Sequence, residues 1–416
     1  MGRVFNTTGV CIPEKHYMVN INGRLQQIKV LVDEGKYFTI NRARQYGKTT
    51  TLRALAEMLR DEYYVVLLDF QTFDNEKFSN GNVFSVAFAG SFLRVLRRNC
   101  KTMNNEMVSV IEEMKKDADY ANRYFSLKEL FEGLSDICEA ADRKIVLMID
   151  EVDSAANNQV FIDFLAQLRA QYLDREFYPG FQSVILAGVY DIKNLKRKLR
   201  PEEGHRYNSP WNIAADFSIE MSFSESEIAG MLQEYESDHR TGMNISKMSE
   251  LLYAYTAGYP FLVSRICQLM DERVRDEYEN LKLVWTENGF NEAVRILLAE
   301  KNPLFESLVG KICDYPELSV MLKTLLFTGR NIAYNPDETS IDMAQMFGFI
   351  KNQNGNVVIA NRIFEMRLYN YYLTEAKMQQ TEIYKAALQD KSQFIVNGYL
   401  DMERILERFV VHFHDI

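Results

Sequence analysis

The sequence contains few cysteines and no pattern that would pair them. Of the 416 residues only five are cysteine. They form no Cys-x-x-Cys pair, and no histidine cluster lies near them in the sequence. A disulfide framework and a structural zinc site are therefore excluded as the basis of the fold. We expect reduced thiols that are mostly buried.

Long apolar runs and an excess of positive charge are also missing. No apolar run reaches the ~18 residues of a membrane-spanning helix, and the N-terminus lacks the charged and apolar regions of a secretion signal. We therefore expect a cytosolic chain that makes no membrane contact. The net charge of −10 argues against a surface that binds polyanions in general. The length predicts two or three domains.

A phosphate-binding loop is indicated where a short apolar strand meets a helix. Unpaired backbone N–H groups and the positive end of the helix dipole bind anions at such a junction. The strand Tyr37–Ile40 is connected to a helix that begins at Thr49 by a segment that ends in Arg42-Ala43-Arg44-Gln45-Tyr46-Gly47-Lys48. The junction predicts a P-loop.

Individual residues of this loop have the chemistry that a nucleoside triphosphate requires. Gly47 allows close approach of the backbone, Lys48 reaches the β and γ oxygens, and the Thr49 hydroxyl ligates Mg²⁺. We expect four further residues to contact the nucleotide: Arg44, Gln45, Tyr46 and Thr50. The usual pattern, Gly-x-x-x-x-Gly-Lys-Ser/Thr, is incomplete because Arg42 occupies its first glycine position.

Two adjacent acids after an apolar run supply the second half of the predicted site. Asp150 and Glu151 end the run Ile145–Ile149, which is typical of a buried strand. Asp150 would bind the metal, and Glu151 would polarise the attacking water. Each half of the pattern also occurs by chance, but both occur here in the expected order and on the expected elements. Together they predict a nucleotide site in which Lys48 and Glu151 are catalytic.

Strand-like runs alternate with helical stretches in the first half of the chain. This alternation predicts an α/β fold with a mostly parallel five-stranded sheet. The runs are Tyr37–Ile40, Tyr64–Phe70, Ile145–Ile149, Ser183–Gly188 and Phe217–Phe223. We expect a P-loop NTPase core over residues 1–223 and a helical lid over residues 224–315.

The last third of the chain has the signals of a winged helix. Asn354-Gly355 between two apolar runs predicts a β-hairpin. Its helical flanks predict a winged-helix-like domain over residues 316–376, followed by a helical segment over 377–416. Before the lid, basic residues cluster in a predicted charged loop, Lys193–Asn212. Two interpretations of this loop stay open: a solvated surface, or a contact that carries a trans-acting arginine or binds a partner.

These motifs resemble those of the bacterial AAA-like ATPase family, whose P-loop has the sequence Arg-Pro-Arg-Arg-Phe/Tyr-Gly-Lys-Ser/Thr. The matching run begins at Arg42, and Ala43 and Gln45 are its departures from the family pattern. The resemblance spans roughly residues 5–375 and includes a Gly-Tyr-Pro-Phe-Leu motif at 258–262. More broadly, the chain is similar to the archaeal-type ATPase and signal-transduction branch of P-loop proteins, which are of the ASCE type.

The resemblance implies a sheet ordered 5-1-4-3-2, with Ser183–Gly188 between the P-loop strand and the Asp150 strand. It implies ATP and Mg²⁺ as cofactors, Arg265 as a second-sensor arginine at the γ-phosphate, and Tyr17 and Met18 beside the adenine. Members of the family often continue into a domain resembling PD-(D/E)xK nucleases. Because no acid followed by Glu-x-Lys comes after the predicted winged helix, we expect a fragment or a form without the nuclease.

Three hypotheses of function follow. The first is an ATPase that acts as a nucleotide-dependent switch, in which a homo-oligomer would supply a trans-acting arginine. The second is a winged helix that binds nucleic acid or protein, with a structural nucleotide site; its basic residues would be Lys351, Arg362 and Arg367. The third is a protein-interaction scaffold.

Overall fold

The computed structural model describes residues 2–99, 103–189, 211–277, 281–328 and 331–374, with 395–396 and 399–400. The predicted basic loop, apart from its last two residues, lies outside the described residues. So does the predicted C-terminal helical segment, apart from Ile395–Val396 and Tyr399–Leu400, which form an antiparallel pair of strands in place of the predicted helix. None of the helices in the described ranges is long and apolar enough to cross a membrane.

A parallel sheet of four strands forms the centre of the first domain. The strands are β3 (Phe38–Asn41), β4 (Tyr64–Asp69), β5 (Ile145–Asp150) and β6 (Ser183–Gly188). Their order is β3-β6-β5-β4. The strand β6 pairs in parallel with both neighbours, so that Ile185 is opposite Phe38 on one side and Met148 on the other. The predicted position of Ser183–Gly188, between the P-loop strand and the Asp150 strand, is confirmed.

The prediction of a fifth strand at Phe217–Phe223 is wrong. This stretch of the chain meets the sheet only through an isolated bridge between Ala215 and Phe38. After this bridge, arginine side chains donate hydrogen bonds to backbone carbonyls that would otherwise accept from a neighbouring strand. Arg42 donates to the Ile219 carbonyl at 2.8 Å, and Arg24 donates to the Ser222 carbonyl at 3.2 Å. The apolar alternation of the segment therefore reflects packing beside the sheet.

Helices cover both faces of the sheet, and successive residues of a strand point to opposite faces. Met148 belongs to one hydrophobic cluster, and its neighbour Leu147 to the other. The elements outside the sheet in this domain are β1 (Val4–Phe5), β2 (His16–Tyr17), α1 (Asn22–Asp33), α2 (Lys48–Leu59), α3 (Gly81–Asn99), α4 (Asn105–Asp117), α5 (Leu127–Ala140) and α6 (Gln159–Leu173). Helices α3 to α6 form one layer, whereas α1 and α2 lie on the other face.

The helical lid follows. Its helices are α7 (Glu225–His239), α8 (Ile245–Thr256), α9 (Pro260–Glu272), α10 (Leu281–Val284) and α11 (Glu287–Ala299). Helix α7 begins at a capping box, in which the side chains of Ser224 and Glu227 each accept from the backbone N–H of the other residue. Pro260 of the Gly-Tyr-Pro-Phe-Leu motif is the first residue of α9. An N–H in the first turn of a helix has no partner within the helix, so its absence in proline costs nothing there.

The last unit has three helices, a hairpin and a fourth helix, and its part from the second helix onward has the helix, helix, hairpin and helix order of a winged helix. Its elements are α12 (Pro303–Asp314), α13 (Pro316–Phe327), α14 (Thr339–Met346), β7 (Ile350–Gln353), β8 (Asn356–Ile359) and α15 (Arg362–Leu373). Asn354 and Gly355 form the two-residue turn, with φ of 53° and 82°. Positive φ at both positions is what a type I′ turn requires. The predicted hairpin is confirmed.

Candidate functional site

The loop between β3 and α2 has an unusual backbone. Gly47, with φ of 79° and ψ of 16°, is the last residue before the helix begins at Lys48. Gln45 also has a positive φ, of 56°. A non-glycine residue in this left-handed region is uncommon and is found most often at functional sites. The loop therefore has the sharp curvature with which successive backbone N–H groups can converge on an anion.

The Lys48 side chain forms hydrogen bonds within the P-loop. Its ammonium donates to the carbonyls of Arg42 at 2.9 Å and Ala43 at 3.0 Å. The residue is only 6% exposed. Burial lowers the pKa of Lys48, while the nearby carboxylates of Asp153, Glu151 and Asp150 oppose that shift. The neighbouring carboxylates thus offset part of the effect of burial on the Lys48 ammonium.

Thr49 and the two acids at the end of β5 form a connected group. The Thr49 hydroxyl donates to Oδ2 of Asp150 at 2.6 Å. The other carboxylate oxygen of Asp150 accepts from the Glu151 backbone N–H at 2.9 Å. Glu151 has φ of 53° and ψ of 41°, a turn that ends the strand. Burial raises the pKa of the Glu151 carboxyl, and the Lys48 charge opposes the shift.

A cavity of about 370 Å³ lies in front of the loop. One side is polar and consists of loop and α2 residues from Gln45 to Thr51, with Glu151 nearby. The opposite side is mainly apolar. Its lining includes Val10, Met18, Val19, Ile21, Phe223, Pro260 and Phe261. A charged end and an apolar end at this size fit a molecule with a phosphate chain and a base.

The residues Asn6–Cys11, which we call the N-terminal strap, line one part of this cavity. The strap is held at one side by the parallel pairing of β1 and β2, in which Val4 is opposite His16. It is also held by the P-loop helix, since the Cys11 N–H donates to the Thr50 hydroxyl at 3.2 Å. The strap is a part of the site that sequence reasoning missed. Its only local signal is the turn composition Asn6-Thr7-Thr8-Gly9.

Most predicted contact residues of the P-loop line this cavity: Gln45, Tyr46, Gly47, Lys48, Thr49 and Thr50. Arg44 does not. It lines an adjoining cavity of about 620 Å³, between the P-loop and α12, which Glu151 and Asp153 also line. Glu151 thus faces both cavities. The predicted loop residues are brought together, with Arg44 on the side of the acids.

The structure does not place Tyr17 beside the cavity. Its hydroxyl donates to Asp238 at 2.8 Å, and its ring packs on Phe5 and Tyr235 with centroids 5.2 and 5.1 Å away. The strand alternation explains this: Tyr17 points into the core, and the next residue, Met18, lines the cavity. Of the two residues predicted to lie near a base, only Met18 lines the cavity.

Arg265 is likewise not in the position predicted from the resemblance. Its guanidinium forms a two-point ion pair with Glu300 and donates to Gln268 at 2.7 Å. Both partners of the ion pair are largely buried, with side-chain exposures of 22% and 16%. The residue of α9 that lines the cavity is the preceding one, Ser264. Arg265 therefore joins lid helices to each other in this structure.

One of the three basic residues proposed to face nucleic acid is used inside the protein. Arg367 donates to the Leu298 carbonyl, and its guanidinium lies 4.8 Å from the centre of the Phe305 ring. Arg362 lies 4.9 Å from the centre of the Tyr255 ring. Arg362 and Lys351, which lies on the wing, are both exposed. The winged helix thus packs on the lid through Arg367 and leaves Arg362 and Lys351 accessible.

Comparison with protein families decides the affiliation. The AAA-like domain family matches residues 12–375, nearly the whole chain. The chain belongs to this family. Membership of this AAA-like P-loop ATPase family supports the predicted nucleotide binding. Comparison with curated protein sequences gave no match.

Solved structures share the fold of this AAA-like chain. It is similar to a Walker-type ATPase of Pyrococcus abyssi, with 13% identity, a TM-score of 0.60 and coverage of 88% of this chain and 99% of that one. It is also similar to the ORC2 protein of Aeropyrum pernix, with 12% identity, a TM-score of 0.49 and coverage of 94% and 98%. The likeness to the Pyrococcus abyssi ATPase, at this low identity, shows a shared fold and nothing about function.

Proposed function

We propose that this protein binds Mg-ATP, hydrolyses it slowly and acts as a nucleotide-dependent switch. The observation that carries the proposal is the contact of 2.6 Å between the Thr49 hydroxyl and Asp150, beside a buried Lys48. A hydroxyl and a carboxylate at that separation can share one metal ion, and the lysine is placed to meet the phosphates that the ion accompanies.

The residues present fit Mg²⁺. This ion prefers oxygen ligands and is commonly held by one or two carboxylates together with substrate phosphates. Thr49 and Asp150 supply such oxygens. No cluster of three or more His, Cys, Asp or Glu side chains forms a separate metal site in the described part of the chain. When bound, Mg²⁺ would neutralise charge on the β and γ oxygens.

Glu151 is the residue that we propose to orient the attacking water. Its carboxylate lies next to Asp150 at the cavity, and its left-handed backbone turns it out of the strand direction. The carboxylate would accept a proton from water as the water attacks. Lys48 would move from the carbonyls of Arg42 and Ala43 to the phosphate oxygens. The N-terminal strap would exclude bulk water from the cavity.

The switch role rests on which units line the cavity. The P-loop, the strap and the lid residues Pro260 and Phe261 all contribute to it. A bound nucleotide would therefore favour one arrangement of these units over others. We further propose that a second copy of the chain supplies an arginine at the adjoining cavity of Arg44 and Glu151. Such a residue raises turnover by about 10³ or more in related chemistry.

The first test is phosphate release from Mg-ATP by the wild type, Glu151→Gln and Lys48→Ala, with nucleotide affinity measured by calorimetry. Glu151→Gln should lose turnover and keep affinity, whereas Lys48→Ala should lose affinity at least tenfold, because it removes the cation nearest the phosphates. Glu176→Gln, an exposed change outside the site, is the matched control. Unchanged affinity in Lys48→Ala would refute the proposed site.

A different outcome distinguishes the winged-helix alternative. Salt-sensitive DNA binding that persists in Lys48→Ala would indicate a nucleic-acid-binding module with a static nucleotide site. The internal contact of Arg367 favours the switch instead.

A further inference from the structure

Tyr259 connects three units of the protein. It is the residue just before α9 and is 3% exposed. Its ring packs edge-on against Tyr46 of the P-loop, with centroids 4.6 Å apart. On another side it packs against Phe364 of the winged helix at 5.4 Å. Its hydroxyl donates a hydrogen bond to the backbone carbonyl of Arg44.

That hydrogen bond fixes the direction of a peptide group. No peptide bond among the described residues is cis. In a planar trans peptide the carbonyl and the following N–H point in opposite directions. Since the Arg44 carbonyl points to Tyr259, the N–H of Gln45 points away from Tyr259. None of the described residues accepts from this N–H, and Gln45 lines the nucleotide cavity. An N–H held in this way is available to an anion.

We propose that Tyr259 is a positioning residue of the P-loop: its hydroxyl holds the Arg44–Gln45 peptide with the Gln45 N–H turned to the phosphates. The inference rests on the proposed function, because the phosphates are those of the bound nucleotide. The strained φ of 56° at Gln45 is maintained by this external contact. Burial raises the pKa of Tyr259 well above its ordinary value, so the hydroxyl keeps the proton that it donates.

The position of Tyr259 is itself tightly fixed. A Cβ on the preceding residue, Gly258, would lie 1.9 Å from the Phe223 carbonyl oxygen, and Gly258 has φ of +72°. The Phe223 N–H in turn donates to the Gly258 carbonyl at 2.8 Å. On the winged-helix side, a Cβ on Gly348 would be 3.8 Å from the Tyr259 ring. The orientation of one P-loop peptide therefore depends on where the lid and the winged helix lie.

Tyr259→Phe tests the inference, because it keeps the ring and removes only the hydroxyl. Tyr235→Phe is the matched control: Tyr235 is also a buried lid tyrosine, but its hydroxyl donates to Asp271, in α9. We would measure the dissociation constants of Mg-ATP and of inorganic pyrophosphate by calorimetry, and the melting temperature without ligand. Tyr259→Phe should weaken both ligands about fivefold, the typical effect of one neutral hydrogen bond. Tyr235→Phe should leave both dissociation constants unchanged.

Three outcomes would overturn the inference. Wild-type affinity in Tyr259→Phe, with only a melting-temperature loss like that of the control, would show a purely structural role. Weaker Mg-ATP binding with unchanged pyrophosphate binding would place the effect away from the phosphates. If the wild type itself bound neither ligand, the proposed function would fail and this inference with it. Measuring Lys48→Ala beside the wild type distinguishes failure of the proposed function from failure of this inference alone. If the site binds nucleotide, Lys48→Ala loses affinity whatever the effect of Tyr259→Phe.

Discussion

The two faces of the sheet are built differently. On one face, α1, α2, the lid and the winged helix share a single hydrophobic cluster, but cavities of about 370, 590 and 620 Å³ remain between these units. On the other face, α3 to α6 surround closely packed phenylalanine rings, among them Phe84, Phe88 and Phe164, and a cavity of about 400 Å³ is lined mainly by α4 and α5 residues. The first face can change its contacts with a ligand, whereas the second provides a fixed support for the strands that carry the site.

The largest effect on the free energy of unfolding is expected from a substitution among the closely packed phenylalanines of the α3 to α6 face. Phe88 is fully buried, and its ring centroid is 4.9 Å from that of Phe164. Phe88→Ala should lower the free energy of unfolding by about 3–5 kcal/mol, because it removes buried apolar surface and leaves a cavity. Nucleotide affinity of the folded protein should not change. Urea unfolding and calorimetry measure the two quantities.

The control for Phe88→Ala is Phe177→Ala, at a side chain that is 82% exposed. It should change the free energy of unfolding by less than about 0.5 kcal/mol. A loss of nucleotide affinity in Phe88→Ala at temperatures where it remains folded would contradict the division between the two faces.

A smaller effect that involves both stability and binding is expected at Gly348, where the winged helix contacts the P-loop. Gly348 has φ of +73°, and a Cβ on it would lie 2.8 Å from the Ala43 Cβ. Gly348→Ala should therefore lower the free energy of unfolding by about 1–3 kcal/mol. It should also weaken Mg-ATP binding, because Ala43 must move to make space and the adjacent loop moves with it.

Two variants sharpen this second prediction. Adding Ala43→Gly to Gly348→Ala removes the steric clash but not the backbone strain, so it should restore nucleotide affinity more than stability. Gly90→Ala, in the middle of α3 with no atom within 4 Å of the new Cβ, should raise the free energy of unfolding by about 0.5–1 kcal/mol. Equal nucleotide affinities in Gly348→Ala and the wild type would show that the winged helix is not coupled to the loop.

The smallest effect concerns pH. Burial raises the pKa of Glu151, and only the ionised carboxylate can accept a proton from water. Turnover should fall as the pH drops through this raised pKa, so the acid limb of the rate profile should lie above the ordinary glutamate range of about 4.3. Asp153→Asn removes a negative charge that also raises this pKa, and should shift the limb to lower pH. If Asp153→Asn left the acid limb at the same pH, the limb would report the titration of a group other than Glu151.

Features fixed by local chemistry were predictable from the sequence. The Asn354-Gly355 turn needs positive φ at both positions, and the Ser224 capping box needs only neighbours within one helical turn. The paired acids at the end of β5 followed from an apolar run of strand length. In each case the interacting groups lie within a few residues of each other, so the pattern and the contact have the same cause.

Features that depend on contacts between distant residues were not predictable in the same way. The segment at Phe217–Phe223 has strand-like alternation, but arginines from other elements bind its carbonyls. Arg265 lies three residues after the Gly-Tyr-Pro-Phe-Leu motif, but Glu300, 35 residues later, decides its contact. Tyr259 was part of a recognised motif, whereas its hydrogen bond to the Arg44 carbonyl spans 215 residues. No spacing rule relates such partners.

We expect the N-terminal strap to affect how long a nucleotide stays bound more than how tightly it binds. Both of its ends are attached, through the pairing of Val4 with His16 and the bond from Cys11 to Thr50. We expect release of a ligand that contacts the strap to require opening of this segment, which is a local unfolding step. The residence time of a nucleotide would then be set by how often a few backbone hydrogen bonds break, so two nucleotides of unequal affinity could still be released at similar rates.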